Sequence, residues 1–205
     1  MNEVSAEDLD VSRETFDRLG VFAGLLCKWN PTINLVSRSS IADLWTRHIA
    51  DSVQVFECAP KGFNHWVDLG SGGGFPGLVA AICALENGGA SKFTLVESDT
   101  RKATFLRTVA REVGVNVSVV TERIENLEIS GADIVSARAL ASLPKLLGFA
   151  EKIMSPNGYA LLPKGASWRN ELAEAQAKWH FDYEAIDSKT EQGAVIIKVK
   201  GLTRG

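Results

Sequence analysis

The sequence predicts an α/β fold, a doubly wound and mostly parallel sheet with an antiparallel last strand and with helices added at the N-terminus. From residue 65 onward, short apolar runs typical of strands alternate with segments of helical periodicity, as in a parallel sheet covered by helices. A glycine-rich turn directly follows the first strand, where doubly wound folds bind ligands. The last two strand-like runs have no helix between them, and so short a link joins only antiparallel neighbours.

The first sixty residues have the pattern of two amphipathic helices. Ser12 is expected to cap the first helix, and Asn30 to end it, because the residue before a proline is disfavoured in helical geometry. Ser40 and Asp43 have the capping-box spacing for a second helix over residues 41–56. A break at residues 59–62 follows. We therefore expect residues 1–60 to form a helical extension packed on the same domain as residues 61–205.

Strands and helices then alternate. Strands are predicted at residues 65–69, 92–97, 115–120, 133–137, 159–162, 181–186 and 194–199, and helices at residues 77–85, 101–113, 144–154 and 168–179. The alternating part predicts the parallel strands, and the helix-free last pair predicts the antiparallel end of the sheet.

Composition is that of an ordinary globular protein. The 205 residues are 45% hydrophobic and 23% charged, and their net charge of −3 argues against a general nucleic-acid coat protein. The longest strictly apolar run, residues 78–85, is far shorter than a membrane span. The N-terminus lacks the layout of a signal peptide, and the three cysteines lack metal-ligand spacing. A reduced cytoplasmic protein with no membrane or metal partner is therefore expected.

The main functional signal is the glycine-rich segment at residues 68–77 (DLGSGGGFPG). Glycines let a ligand approach the backbone where a Cβ would clash, and the following helix points free N–H groups at it. Residues 72–77 fit a dinucleotide fingerprint, whereas residues 70–74 fit the loop of S-adenosylmethionine enzymes. Asp68 favours the second, because a carboxylate suits a ligand with an amino group and a sulfonium and repels a pyrophosphate. Glu97, at the next strand end, suits the ribose of either cofactor.

The same segment resembles the cofactor loop of the ribosomal RNA small subunit methyltransferase G family, also called glucose-inhibited division protein B. Further matching pieces follow in order between about residues 20 and 200: residues 28–30 (KWN), 34–35 (NL), 47–52 (RHIADS), 95–98 (LVES), 101–102 (RK), 105–107 (FLR), 123–125 (RIE), 138–139 (RA) and 164–165 (KG). Taken together, this set is specific.

The resemblance implies a class I methyltransferase domain over residues 61–205. It implies S-adenosylmethionine as cofactor, and methylation at N7 of a guanine in a 16S rRNA loop near the decoding centre. It further implies that Gly70 and Phe75 line the cofactor, that Ile124 and Glu125 flank its adenine, and that Arg138 closes the site. The full expected cofactor-binding set is Gly70, Ser71, Gly72, Gly74, Phe75, Glu97, Ile124, Glu125 and Arg138.

The expected partner is 16S rRNA or the small ribosomal subunit, bound by a monomer. The candidate RNA contacts are Arg47, His48, Arg101, Lys102 and Lys164. Plainer interpretations stay open: the cations of residues 101–111 as a solvated helix face, His48 as a core residue, and Lys164 as a cap on the sheet. The basic residue that the family often has before its last strand is missing from residues 191–194 (EQGA), so the sequence gives no basis for an RNA contact there.

The chemistry is narrowed by what the residues lack. Residues 136–139 read SARA, where adenine amino-group methyltransferases carry Asn or Asp before Pro-Pro and an aromatic residue. Cys27 and Cys83 lie in predicted helices, unlike the nucleophile of a cytosine C5 enzyme. N7 of guanine has a free lone pair and no proton, so we assign no catalytic residue and expect catalysis by proximity. A dinucleotide-dependent oxidoreductase, a non-catalytic RNA-binding assembly module, and a methyltransferase of a protein or small molecule remain alternatives.

Overall fold

Strands and helices alternate through most of the computed structural model, which describes residues 4–205. The strands are β1 His65–Leu69, β2 Lys92–Val96, β3 Val117–Val120, β4 Ala132–Ala137, β5 Met154–Lys164, β6 Trp179–Asp187 and β7 Val195–Arg204. The α-helices are α1 Arg13–Ile33, α2 Asp51–Glu57, α3 Gly77–Cys83, α4 Thr100–Val113, α5 Leu143–Ile153 and α6 Trp168–Gln176.

The strands form one sheet in the order β3-β2-β1-β4-β5-β7-β6. Strands β1 to β5 pair in parallel, and β7 is antiparallel to both β5 and β6. The predicted fold class is therefore confirmed. The chain moves outward in one direction from β1 to β3 and in the other from β4 to β5. The carboxyl ends of β1 and β4 thus meet at a topological switch point, where doubly wound folds form a ligand crevice.

Alternate residues of each strand point to opposite faces of the sheet and build two apolar layers. On one face, side chains such as Trp66, Leu95 and Ile134 pack beneath α1, α3 and α4. On the other face, side chains such as Val67 and Val135 pack against α5 and α6. The N-terminal helices therefore share the core of the sheet rather than forming a core of their own.

The first helix begins as predicted but ends later. Its cap at Ser12 is confirmed, since the Ser12 side chain accepts the Thr15 N–H at 3.2 Å. The predicted end before Pro31 is wrong, because α1 continues to Ile33 with Pro31 in its last turn. Asn34, at φ +51°, ends the helix in the left-handed conformation and donates its N–H to the Asn30 carbonyl.

The predicted capping box at residues 40–43 is wrong. The Ser40 hydroxyl donates to the Ser37 carbonyl at 2.9 Å within a short 3-10 turn, Arg38–Ser40. Continuous helix begins with a π-helical turn, Trp45–Ala50, which leads directly into α2. Among the described helices, none has the length and apolar character needed to cross a bilayer.

Candidate active site

Ser71 fixes the shape of the loop between β1 and α3. Its N–H donates to the Val96 carbonyl at 2.9 Å, and its hydroxyl donates to the Asp68 carbonyl at 3.1 Å. Its own carbonyl accepts the N–H groups of Gly74 and Phe75. Ser71, predicted to bind cofactor, lines the cleft. Its hydroxyl proton is already donated to the Asp68 carbonyl within the loop.

Gly72 lies where this loop faces the cleft. Its φ is +51°, and a Cβ at this position would meet no atom closer than Gly70 O at 3.7 Å and Glu97 Oε2 at 4.0 Å. Gly70 has φ +65°, and the Leu140 side chain packs against its α-carbon. A Cβ added to Gly70 would lie 2.8 Å from Leu140 Cδ1. Gly72 therefore leaves a bare backbone edge beside Glu97, a cradle that a side chain would fill, whereas the space beside Gly70 is taken by Leu140.

A side chain at Gly74 would point into the core and not into the cleft, so the geometry does not support its predicted place in the cofactor-binding set. A Cβ at Gly74 would lie 3.1 Å from the Leu78 side chain and 3.3 Å from that of Phe22. These side chains belong to the core beneath α1 and α3. Gly74 is therefore required by packing between the loop and the core.

Asp68 is fully buried beneath the loop. The Trp66 indole N–H donates to the Ser136 hydroxyl at 2.7 Å, and this hydroxyl donates to Asp68 Oδ1 at 2.6 Å. Asp68 Oδ2 lies against the Gly77 backbone and accepts no well-formed hydrogen bond from the described residues. Burial raises the pKa of Asp68 to about 6. The expected direct approach of Asp68 to a ligand is not found, because Gly77 covers the carboxylate.

Glu97 connects two backbone segments at the edge of the sheet. Its Oε1 accepts the Asp99 N–H at 2.8 Å, and its Oε2 accepts the Gly72 N–H at 2.9 Å. The residue is 8% exposed, so it is not an ordinary surface charge. Each carboxylate oxygen keeps a further lone pair for a ligand hydroxyl.

A chamber of about 410 Å³, called here the smaller chamber, lies beside Glu97. Its lining includes Gly70, Gly72, Glu97, Lys102, Ile124 and Glu125. The structure thus brings both predicted adenine neighbours, Ile124 and Glu125, to the same chamber as the predicted ribose carboxylate. The Glu125 side chain is 52% exposed and lies 3.9 Å from Lys145 Nζ, a surface ion pair of small energetic value.

Arg138 joins the loop to the N-terminal helices. Its Nη1 donates to His48 Nδ1 at 2.8 Å and to the Arg47 carbonyl at 3.3 Å. Nη1 also lies 3.9 Å from Asp51 Oδ2, and Cζ lies 4.8 Å from the centre of the Phe75 ring. Both ion-pair partners are largely buried, at 18% and 16% side-chain exposure. Arg138 therefore closes one wall of the cleft.

His48 stacks on Phe75 with ring centres 5.2 Å apart. Burial, with a smaller effect from Arg138 and Arg47, lowers the pKa of His48 to about 4, so the ring is neutral at neutral pH. A guanidinium can only donate, so Nδ1 accepts from Arg138 and Nε2 carries the proton. Nε2 is buried and has no partner within residues 4–205. His48 also lines the cleft, so its predicted RNA contact stays a prediction, made by a neutral ring that can donate through Nε2.

Asp51 is a site residue that the sequence analysis missed. Its Oδ1 accepts from Thr190 Oγ1 at 3.2 Å and from Ser188 Oγ at 3.5 Å, so it ties the loop between β6 and β7 to α2. Burial raises its pKa, and the charge of Arg138 opposes that rise. The motif at residues 47–52 contained the signal, because positions three and four apart share one helix face.

Lys164 is committed to the protein itself. Its Nζ donates to Glu171 Oε2 and to the Ala141 carbonyl, both at 2.8 Å, and its side chain is 9% exposed. The predicted RNA contact at Lys164 stays a prediction, and a phosphate would have to displace this pair to reach Nζ. The alternative interpretation, a cap on the sheet, describes its contacts.

The cations of α4 do not form one patch. Arg101 lies at a groove beside α1, whereas Lys102 lines the smaller chamber. Adjacent helical residues point about 100° apart, which separates the two. Arg107 donates to the Val119 carbonyl and to Thr121 Oγ1, so it braces β3. Arg101 is the more exposed candidate, with 69% of its side chain exposed beside its helix cap, Asp99.

A second chamber of about 720 Å³, called here the larger chamber, opens on the other side of Gly70 and Arg138. Its lining includes Ser37, Arg47, Phe75, Arg138, Ala139 and Glu191. The two chambers share Gly70, Gly72, Arg138, Ala139 and Ala141. The cleft can thus hold a nucleoside in one chamber and a second molecule in the other. Within the part of the chain that the structure describes, no group of three or more His, Cys, Asp or Glu side chains could hold a metal ion.

Comparison with known proteins relates this cleft to one family. A model of rRNA small subunit methyltransferase G matches residues 16–195. The chain is 58% identical over 199 residues to the Ribosomal RNA small subunit methyltransferase G of Ruegeria pomeroyi, covering 97% of each protein. It is 48% identical over 192 residues to the protein of the same name from Rhodospirillum centenum, covering 94% of this chain and 87% of that protein.

Solved structures with lower identity show the fold. A TehB-like SAM-dependent methyltransferase from Corynebacterium glutamicum superposes with a TM-score of 0.57 at 15% identity, covering 80% of this chain and 92% of that chain. TrmK from M. capricolum, in complex with S-adenosyl-homocysteine, superposes with a TM-score of 0.53 at 13% identity, covering 73% and 67%. The fold is that of the class I S-adenosylmethionine-dependent methyltransferases, and the chain belongs to the rRNA small subunit methyltransferase G family.

Proposed function

We propose that this protein transfers a methyl group from S-adenosylmethionine to N7 of a guanine in 16S rRNA. The observation that carries the proposal is the match of nearly the whole chain to the methyltransferase G family, on a fold whose cleft opens at the glycine loop. This family membership disfavours the dinucleotide-dependent oxidoreductase, whereas methyl transfer by the purified protein would distinguish the enzyme from a non-catalytic module that has kept the fold.

The residues of the smaller chamber fit the nucleoside part of S-adenosylmethionine. Glu97 would accept hydrogen bonds from the ribose, and Ile124 and Glu125 would flank the adenine. The bare backbone at Gly72 would admit the amino acid part. Bound there, the cofactor supplies an electrophilic methyl group on a sulfonium.

The protein's contribution to the reaction is position. In neutral guanine, N7 has a lone pair and no proton, so forming its bond to the methyl carbon as the carbon–sulfur bond breaks needs no general base. His48, neutral and held by Arg138, and the buried Asp68 support the loop from two sides. The loop, supported in this way, would align the methyl group of the cofactor with N7 of the guanine.

The decisive experiment maps 7-methylguanine in 16S rRNA from cells with and without the gene. We expect one modified guanine to lose its methyl group in the deletion strain and to regain it when purified protein and S-adenosylmethionine are added to the isolated small subunits. Unchanged methylation in the deletion strain would contradict the proposal. Transfer to a protein or small molecule instead would support that remaining alternative.

The proposed assembly is a cytoplasmic monomer. Residues 1–60 would serve as a helical extension of the methyltransferase domain, residues 61–205. The support is the shared core, in which Leu19, Phe22 and Leu26 pack with Leu78 and Phe105. Light scattering of the purified protein tests the monomer.

Loss of the Glu97 carboxylate is expected to weaken cofactor binding. Glu97→Ala should weaken the binding free energy of S-adenosylmethionine by about 1.5–3 kcal/mol, as for a hydrogen bond to a charged group. Calorimetric titration measures this effect. A second titration uses S-adenosylhomocysteine without its ribose hydroxyls, to separate a direct contact of Glu97 with the ribose from a change in loop structure. If Glu97→Ala weakens binding of both ligands equally, the carboxylate acts only through its hydrogen bonds to Gly72 and Asp99.

The two adjacent cations of α4 are expected to behave differently. Arg101→Ala should lower methylation of small subunits and reduce the slope of log affinity against log salt by about 0.7, with cofactor affinity unchanged. Lys102→Ala should also change cofactor affinity, because Lys102 lines the smaller chamber. Arg111→Ala is the control, since Arg111 lies in the last turn of the same helix and pairs with Glu112. Equal salt slopes for Arg101→Ala and the control would make Arg101 a solvated side chain.

A further inference from the structure

Selection of guanine over adenine needs a group that the cofactor site does not provide. Both purines present a nucleophilic N7, so N7 itself cannot distinguish them. Their opposite edges differ: guanine offers two donors, N1–H and the 2-amino group, whereas adenine has an acceptor at N1. A carboxylate matches the two donors of guanine and repels the acceptor of adenine.

Three carboxylates line the larger chamber: Asp51, Glu171 and Glu191. The first two are already engaged by their own chain. Asp51 accepts from Thr190 and faces Arg138, with 16% of its side chain exposed. Glu171 Oε2 accepts the Leu143 N–H and Lys164 Nζ, both at 2.8 Å.

Glu191 differs from both. Its side chain is 57% exposed, and its nearest charged partner, Arg47 Nη2, lies at 3.8 Å, beyond hydrogen-bond distance. The Glu191 carboxylate accepts no hydrogen bond from the residues between 4 and 205. Its backbone is nevertheless fixed, because its N–H donates to Ser188 Oγ at 3.1 Å and its carbonyl accepts the Ala194 N–H at 3.2 Å.

We propose that Glu191 is the residue that selects guanine, with its carboxylate accepting N1–H and the 2-amino group of the acceptor base. This inference rests on the proposed function. Methylation at N7 leaves a positive charge on the purine, and the same carboxylate would stabilise it. Arg47 moderates the charge of Glu191 before RNA arrives and, half exposed, is free to meet a phosphate.

Nucleotide binding tests the contact without catalysis. Protein saturated with S-adenosylhomocysteine is titrated separately with GMP, IMP and AMP, and NMR measures the dissociation constant of each nucleotide. IMP keeps N1–H but lacks the 2-amino group. We expect the wild-type protein to bind GMP about tenfold more tightly than IMP, and Glu191→Ala to bind the two equally. Equal binding of GMP and IMP by the wild-type protein would overturn the proposal.

Methyl transfer gives the second measurement. With small subunits from cells lacking the gene, Glu191→Ala should lower kcat/KM at least about tenfold while cofactor affinity is unchanged. Gln192→Ala is the matched control, an exposed neighbour that does not line the chamber. Wild-type activity in Glu191→Ala would overturn the inference and leave the proposed function intact. If the wild-type protein transfers no methyl group, the proposed function fails, and the nucleotide titration still decides the contact.

Discussion

Replacing Gly72 by valine should abolish S-adenosylmethionine binding. The loop position faces the cleft, with no atom closer than 3.7 Å to an added Cβ, so the branched side chain would occupy the space that the cofactor needs. We expect binding to weaken by more than about 100-fold, because a displaced ligand loses its contact with the bare backbone and with the neighbouring carboxylate. Calorimetric titration measures the loss.

Backbone strain must be separated from this steric effect. Valine at φ +51° costs stability wherever it is placed. Gly114→Val is the matched control, since Gly114 has φ +72°, has open space around its α-carbon and ends α4. At about 1.5 Å per residue, the 14-residue helix places Gly114 roughly 21 Å from the cleft end. The control should lose similar stability and keep cofactor binding. Normal binding by Gly72→Val would place the cofactor elsewhere.

Local patterns were sufficient to predict the glycine loop. A strand, four glycines and a helix are adjacent in the chain, and local geometry decides their conformation. Local patterns did not predict which loop residues face the cleft and which face the core. Gly74 faces Phe22, which comes from α1, and Asp68 is covered by Gly77. Only long-range packing determines which loop residues face the core and which face the cleft.

The basic residues show the same limit. Lys164 has the charge expected of an RNA contact. Its partners, Glu171 and the Ala141 carbonyl, come close to it only in the folded protein, so the sequence did not predict them. The divergence of Arg101 and Lys102, in contrast, was predictable from the turn of an α-helix. The antiparallel end of the sheet was predicted from the missing helix, but the position of β7 between β5 and β6 depends on pairings that the sequence pattern does not specify.

Removing Arg138 should destabilise the protein and weaken cofactor binding together. Arg138→Met keeps the length of the side chain and removes the guanidinium, which leaves the Asp51 carboxylate without its cationic partner and His48 Nδ1 without its hydrogen-bond donor. Breaking one side of so buried a pair should cost about 3–5 kcal/mol of unfolding free energy. The Phe75 ring also loses its cation, so the loop it belongs to is less firmly held. Urea unfolding and calorimetric titration measure the two effects, and Arg111→Met, at an exposed pair, is the control.

The origin of this loss can be tested through pH. Burial already raises the pKa of Asp51 above its ordinary 3.8, and without Arg138 the rise is larger. Between the unfolded and the raised folded value, the folded state binds more protons, so stability falls as pH rises through that window. The deficit of Arg138→Met should therefore be greatest at neutral pH and shrink in mild acid. Adding Asp51→Asn should recover part of the stability at neutral pH, because it removes the uncompensated charge. If the deficit is independent of pH and Asp51→Asn recovers nothing, Arg138 stabilises the fold through packing alone.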